Sequence, residues 1–181
     1  GDVRISSFIL KEEAAFIKQL KNWLGEKCGW NLCYRASRDG WSGDDFHRHC
    51  DNKGPTVVLI KANDCIFGGY TDKNWGGPSR YTYSNSSFLF SLRNKDNLSP
   101  FTANIKQGKE NRALYPAPGY GPWFGSNDIL LYSYSNSNIS SYSNYGSSYQ
   151  LPSGYVKGTS KANILLAGEL NFSTSEIEVF Y

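Results

Sequence analysis

Leu10, Ile17, Leu20 and Leu24 recur at helical spacing, and Phe16 and Trp23 widen the stripe, so residues 10–24 are predicted to form an amphipathic helix. Glu12 and Glu13 suit its positive end, Lys18 and Lys21 its negative end, and Gly25 its stop. An amphipathic helix can serve a membrane surface or a partner helix. The simpler use is to cover the chain's own sheet.

From Trp30 to Arg35 the pattern changes to period two, as expected of a strand. Ser42 and Asp45 then have the spacing of a capping box, which predicts a short helix over 43–50 with Phe46 and Cys50 on one face. Asp51-Asn52-Lys53-Gly54-Pro55 ends it. TVVLIK (56–61) is apolar on consecutive positions, the mark of a central strand buried on both faces. Ala62-Asn63-Asp64 can turn the chain into a second strand, CIFGGY.

A loop rich in Gly, Pro and Asn (72–85) leads to SSFLFSL, which puts Phe88, Phe90 and Leu92 on one face. FTANIK (101–106), Ala113–Tyr115 and DILLYSY (128–134) are further expected strands, the last two separated by the glycine- and proline-dense PAPGYGPWFG. Residues 134–155 are a low-complexity run of Ser, Asn, Tyr and Gly. Its regular tyrosines supply apolar area, which favours an ordered loop on a sheet over a disordered tail. NILLAGEL (163–170) and EIEVFY (176–181) are expected to close the sheet, with Ile177, Val179 and Tyr181 on one face and Glu176 and Glu178 solvated on the other. Many short strands and few helices predict a mainly β, α+β architecture: a two-sheet antiparallel β-sandwich decorated by short helices. Residues 1–6 are expected to be a leading linker and 7–181 a single domain.

Composition narrows the function classes. A formal charge of +3 with no basic tract argues against a nucleic-acid partner. No apolar run approaches the roughly 20 residues that cross a bilayer, so membrane insertion is not expected. The chain contains no Met and starts at Gly1, and it is read as a module of a longer protein. Cys28, Cys33, Cys50 and Cys65 lie in apolar surroundings and are expected to be buried free thiols. Four N-x-S/T matches, at Asn85, Asn97, Asn138 and Asn171, fit the chance level of a Ser- and Asn-rich chain.

The candidate chemistry is thin. His47, His49 and Cys50 lack zinc spacing, and two positions apart on a helix the histidines diverge. Asp39, Asp44 and Asp45 lack the pattern of a calcium loop. A cysteine nucleophile needs a base and an orienting group, and the thiols' apolar neighbours disfavour a thiolate. Glu176 and Glu178 could pair as catalytic acids, but strand-end solvation is the plainer reading. No serine elbow or phosphate loop is present. No metal, cofactor or catalytic residue is therefore predicted. Gly68, Gly69, Gly119, Gly121 and Gly125 read as backbone devices.

RDGWSGDDFHRHCDNKGPT followed by IFGGYT, then SSFLFSL, YGPWFG with DILLY, and EIEVFY resemble, in order, the TLDc domain over about Ser7 to Tyr181. The resemblance implies two antiparallel sheets flanked by short helices. It places Gly68 and Gly69 on the strand after the hairpin, Gly119, Gly121 and Gly125 in a glycine-rich approach to a strand, and Glu178 in the terminal strand. It also implies a non-catalytic, cytoplasmic protein-interaction module linked to oxidative-stress protection and regulation of the vacuolar proton pump. SNSSFLF and YSNSNISSYSNYGSSY depart from the better-studied animal members.

Two other classes stay open at this point: a weak thiol- or acid-dependent enzyme, hydrolase- or peroxidase-like, and an extracellular domain recognising glycans through its Tyr/Ser/Asn loop. Of the thirteen tyrosines, Tyr120, Tyr132, Tyr134, Tyr142, Tyr145, Tyr149 and Tyr155 crowd the segment after the glycine-rich turn. Some are expected to anchor the loop and others to form a contact patch, and Tyr142, Tyr145 and Tyr149 are the candidates for these structural or interaction roles.

Overall fold

The computed structural model describes residues 5–11 and 13–181. In chain order its helices are α1 (Ala14–Leu24), α2 (Ala36–Asp39), α3 (Gly43–Cys50) and α4 (Ser160–Asn163). Its strands are β1 (Leu32–Arg35), β2 (Thr56–Ala62), β3 (Cys65–Thr71), β4 (Phe88–Arg93), β5 (Phe101–Asn104), β6 (Tyr120–Phe124), β7 (Ile129–Tyr132), β8 (Ser141–Tyr142), β9 (Asn171–Phe172) and β10 (Glu176–Phe180). They form one sheet in the order β1-β10-β2-β3-β4-β5 and another in the order β6-β7-β8-β9. The architecture is the expected α+β sandwich.

Local chemistry explains the best-defined elements. Ser42 Oγ accepts from the Asp45 N–H at 3.0 Å and the Asp45 carboxylate accepts from the Ser42 N–H at 3.2 Å, so the capping box starts α3 as predicted. Asn63 and Asp64 have φ of +49° and +64°, the backbone that a tight hairpin turn between two twisted strands needs. Gly68 faces the carbonyl oxygen of Val58, where a Cβ would lie only 1.8 Å from it. Gly69 faces Phe124 of the other sheet, where a Cβ would come within 2.7 Å of the ring. Both positions need a residue without a side chain.

Two apolar layers result. Val58, Ile60, Phe67, Leu89, Phe124, Ile129, Leu131 and Phe172 pack in one cluster between the sheets. Leu20 and Leu24 of α1 pack with Val57, Leu59, Phe88, Phe90, Leu92 and Phe180 in a second, on the outer face of the large sheet. Strand β2 is thus covered on both sides, as its unbroken apolar run predicts.

Several expectations need correction. Helix α1 begins at Ala14, not Leu10, because Lys11 takes φ of +39° and turns the chain out of helical backbone. Glu13 is the N-cap residue and pairs with Arg93 at 2.7 Å, and Glu12 lies outside the described residues. NILLAGEL is not a strand: Thr159 Oγ1 caps α4, and turns carry the chain through Leu165, Leu166 and Ala167, all buried, to Gly168 at φ +88°. Ala113–Tyr115 contributes only isolated bridges at Leu114. Tyr181 lies past the end of β10 and is exposed, with the Lys53 ammonium over its ring.

The largest correction concerns β10. Glu176 and Glu178 are buried rather than solvated, because residues 5–10 and α2 cover that face. The Glu176 carboxylate accepts from the Ser37 N–H at 3.1 Å and from its hydroxyl at 2.5 Å. The Glu178 carboxylate accepts from Ser7 Oγ (2.6 Å), Phe8 N–H (2.8 Å), Arg35 Nε (2.9 Å) and, at 3.4 Å, Ile9 N–H. Arg35 also donates to the Ser6 carbonyl at 3.0 Å, and its guanidinium lies 3.5 Å from the centre of the Phe8 ring.

Removing one member of a buried ion pair strands the other, at a typical loss of roughly 3–5 kcal/mol. Glu178→Ala is therefore expected to lower unfolding free energy by about that amount in urea titrations. Pairing Glu178→Leu with Arg35→Met is expected to recover part of the loss. A single substitution within about 0.5 kcal/mol of wild type would contradict this role.

Candidate interaction surface

The outward face of the small sheet is aromatic. In register across β6, β7 and β8, Tyr120 pairs with Tyr132, Trp123 with Leu130 and Leu130 with Tyr142. Opposed residues share a face of a sheet, so these side chains lie together. The rings form a continuous strip: Tyr120 and Tyr132 have centroids 5.2 Å apart, Tyr120 and Trp123 5.4 Å, and Tyr115 stacks on Trp123 at 4.4 Å. Tyr81 continues it, edge-on to Tyr115 at 4.9 Å and with the Arg112 guanidinium 5.0 Å from its ring. All these rings are half-buried, and the Trp123 indole N–H has no hydrogen-bond partner. Partial burial and the neighbouring tyrosines push the Tyr142 hydroxyl above its ordinary value. Tyr83 and Tyr134, each more than half exposed, lie outside these ring contacts.

What holds this face is a loop arranged around one carboxylate. Asp128 is fully buried and accepts from the N–H groups of Gly146 (3.2 Å), Ser148 (2.9 Å) and Tyr149 (3.1 Å). Ser143 Oγ donates to the Asp128 carbonyl at 2.9 Å. Tyr145 and Tyr149 are fully buried, their hydroxyls donating to the carbonyls of Gln150 (2.7 Å) and Ala113 (2.8 Å). They anchor the loop from inside. Of the three candidate tyrosines, Tyr142 alone reaches the surface.

The predicted glycines serve this arrangement without forming a site of their own. Gly119 has φ of +83°, and its backbone packs on Gly43 at the start of α3, where a Cβ would lie 2.3 Å away. A Cβ on Gly121 would press on Leu131 at 3.1 Å. Gly125, at φ +69°, leaves room for the Asp128 carboxylate, which a Cβ would meet at 2.2 Å. Gly68 and Gly69 are in the middle of the large sheet and Glu178 is beneath the amino-terminal segment, so the structure does not bring the predicted positions together.

Asp128 and Arg35 were missed by sequence reasoning. A signal for Asp128 existed: a long polar loop with few strands must find acceptors for its N–H groups, and a carboxylate opening an apolar strand beside that loop can supply them.

The acids of β10 and the two histidines singled out from the sequence make structural hydrogen bonds. Both acids of β10 are engaged in fixed hydrogen bonds. His47 bridges Asp51 and the Ala117 carbonyl, whereas His49 turns to the Asp45 carbonyl. Among the described residues, no group of three or more His, Cys, Asp or Glu is placed to hold a metal, and no helix is long and apolar enough to cross a membrane.

Comparison with known proteins bears on the same question. The family model of the TLDc domain matches residues 5–181. The chain belongs to the TLDc family. Its curated relatives include the MTOR-associated protein MEAK7 of Gallus gallus, 36% identical over 64 residues, which are 35% of this chain and 14% of that protein. The Danio rerio protein of the same name is 29% identical over 69 residues, 38% of this chain and 15% of that protein. The matched stretch of this TLDc chain is thus a small part of each relative.

Burial pushes Asp128 up from the ordinary 3.8 to about 6, with the backbone N–H donors opposing that rise. The folded chain therefore binds a proton in a window where the unfolded chain does not. Stability from this group is gained as pH falls through that window and lost as pH rises through it. Relative to Asp128→Asn, wild type is expected to gain about 2 kcal/mol between about pH 7 and about pH 4.5 in denaturant titrations. A difference independent of pH, or one that shrinks on acidification, would contradict it.

Proposed function

We propose that this TLDc chain is a non-catalytic protein-interaction module of a larger protein, and that it meets its partner with the aromatic strip on the small sheet. One observation carries the reading: half-exposed rings at Tyr81, Tyr115, Trp123, Tyr120 and Tyr132 touch in one strip, with Tyr142 on the same sheet face, and the loop behind them is fastened by Asp128. Tyrosine and tryptophan give large contact area at small entropic cost, and a rigid support reduces the ordering that binding must overcome. The acids of β10 are held in fixed hydrogen bonds with structural partners, which supports a binding role for this face.

The relatives and the family resemblance offer three settings for such a module. The curated relatives are named for association with MTOR. The resemblance adds oxidative-stress protection and regulation of the vacuolar proton pump. In each the partner is a protein, and the aromatic strip is the contact surface that this chain would contribute.

The test compares wild type with Tyr120→Ser/Tyr132→Ser, and with Tyr83→Ser/Tyr134→Ser as an exposed control outside the strip, in capture of proteins from a lysate of the source cells. Each half-buried tyrosine is expected to lower stability by about 1 kcal/mol, leaving the fold intact by circular dichroism. The strip variant is expected to lose the proteins that wild type retains, while the control keeps them. Equal capture by the strip variant would move the contact surface elsewhere. Capture abolished by N-glycosidase treatment of the lysate would favour glycan recognition instead.

A further inference from the structure

Two of the four free cysteines are neighbours in space. Cys33 Sγ lies 3.6 Å from Cys50 Sγ, although the residues are 17 apart in sequence. Cys28 and Cys65 are buried without such a thiol contact, and burial pushes both thiols up, Cys28 to about 11. A disulfide brings its sulfurs to about 2 Å, so the pair must close by roughly 1.5 Å.

Both residues occupy places where such a movement is small relative to the surrounding structure. Cys33 is the irregular residue of β1, between Leu32 and Tyr34, where the pairing with β10 shifts register, and β1 is the edge strand of its sheet. Bulges at sheet edges re-aim one side chain and loosen the local ladder. Cys50 is the last residue of α3, followed within four residues by Asn52 and Gly54 at positive φ.

The pair also has a route to solvent. Cys33 is 8% exposed and forms part of the wall of a shallow cleft with Arg48, His49, Asp51, Lys53 and Tyr181. Its sulfur is also 3.4 Å from the Val179 carbonyl. The two thiols differ in environment: the hydrogen bond with Cys50, with help from Lys53, holds the Cys33 thiol below its usual value, while burial pushes Cys50 well up.

We propose that Cys33 and Cys50 are a modification site, a dithiol that a hydroperoxide oxidises to a disulfide joining β1 to α3. The Cys33 thiolate attacks one peroxide oxygen, the O–O bond breaks, and the departing hydroxide takes a proton to become water (or the alcohol, from an alkyl peroxide). The sulfenic acid left on Cys33 is then attacked by the Cys50 sulfur, which loses its proton as the S–O bond breaks and a second water leaves. Two electrons pass from the sulfur pair to the peroxide, and two thiols and one hydrogen peroxide become one disulfide and two waters. Cys33 is the attacking residue because it faces the cleft, and Cys50 resolves it from the interior.

The test treats the folded chain with a small molar excess of hydrogen peroxide, alkylates it under denaturing conditions and maps the peptides without reduction. Wild type is expected to fall from four alkylated thiols to two, with a Cys33–Cys50 link that a dithiol reductant removes. Cys50→Ser is expected to stop at a sulfenic acid on Cys33 that dimedone labels, and Cys33→Ser to leave Cys50 unlabelled. Four unreacted thiols in wild type would overturn the proposal. So would oxidised cysteines without the link, or first labelling at Cys28 or Cys65. If either variant fails to fold by circular dichroism, the wild-type peptide map decides alone.

Discussion

The fold depends on one buried carboxylate. Glu178 is in the middle of β10, between β1 and β2, and is fully shielded from water. A carboxylate there is tolerable only because its oxygens meet a guanidinium, a hydroxyl and backbone N–H groups. Those partners come from Arg35 on the adjacent strand and from residues 7–9, about 170 positions earlier in the chain. The electrostatic need of one side chain therefore fastens the amino-terminal segment across the terminal strand. With Phe8 stacked on Arg35, that segment turns an outer sheet face into an interior one.

Asp128, directly before β7, does the corresponding work for the small sheet. The chain from 133 to 160 has little regular structure, yet its serines at 135, 141, 143, 147 and 148 are buried. Such a loop is stable only if its backbone groups find partners, and Asp128 gathers three of them while Tyr145 and Tyr149 fill the space beneath. With the loop satisfied from inside, the tyrosines of β6, β7 and β8 are free to face outward. The outward aromatic face is thus a by-product of how a low-complexity segment was made to fold.

The sequence made some of this legible and hid the rest. Ser42 and Asp45, the run TVVLIK and the turn at Asn63-Asp64 act locally, so their spacing alone predicts the elements that form. Glu176 and Glu178 were misread because alternation separates two faces of a strand but cannot say what covers each. The covering segment lies at the opposite end of the chain. NILLAGEL has the composition of a strand, but the Thr159 cap and Gly168 turn it into a helical turn followed by buried loop. Among the tyrosines, composition identified an aromatic-rich region without direction: Tyr145 and Tyr149 point inward, Tyr120, Tyr132 and Tyr142 outward. Tyr81 and Tyr115, which extend the surface, come from loops that carried no such signal. The Cys33–Cys50 contact has no spacing motif and exists only because a strand and a helix end meet.

If Glu178 fastens the amino-terminal segment as a part of the core, the amides it binds must open only with the sheet. Native-state hydrogen exchange at single-residue resolution measures this directly at Phe8, whose N–H has the Glu178 carboxylate as its acceptor. The account predicts that the Phe8 amide exchanges with an opening free energy comparable to that of Val58 and Ile60 in β2. Exchange of Phe8 at the rate of a frayed terminus, while β2 remains protected, would contradict it.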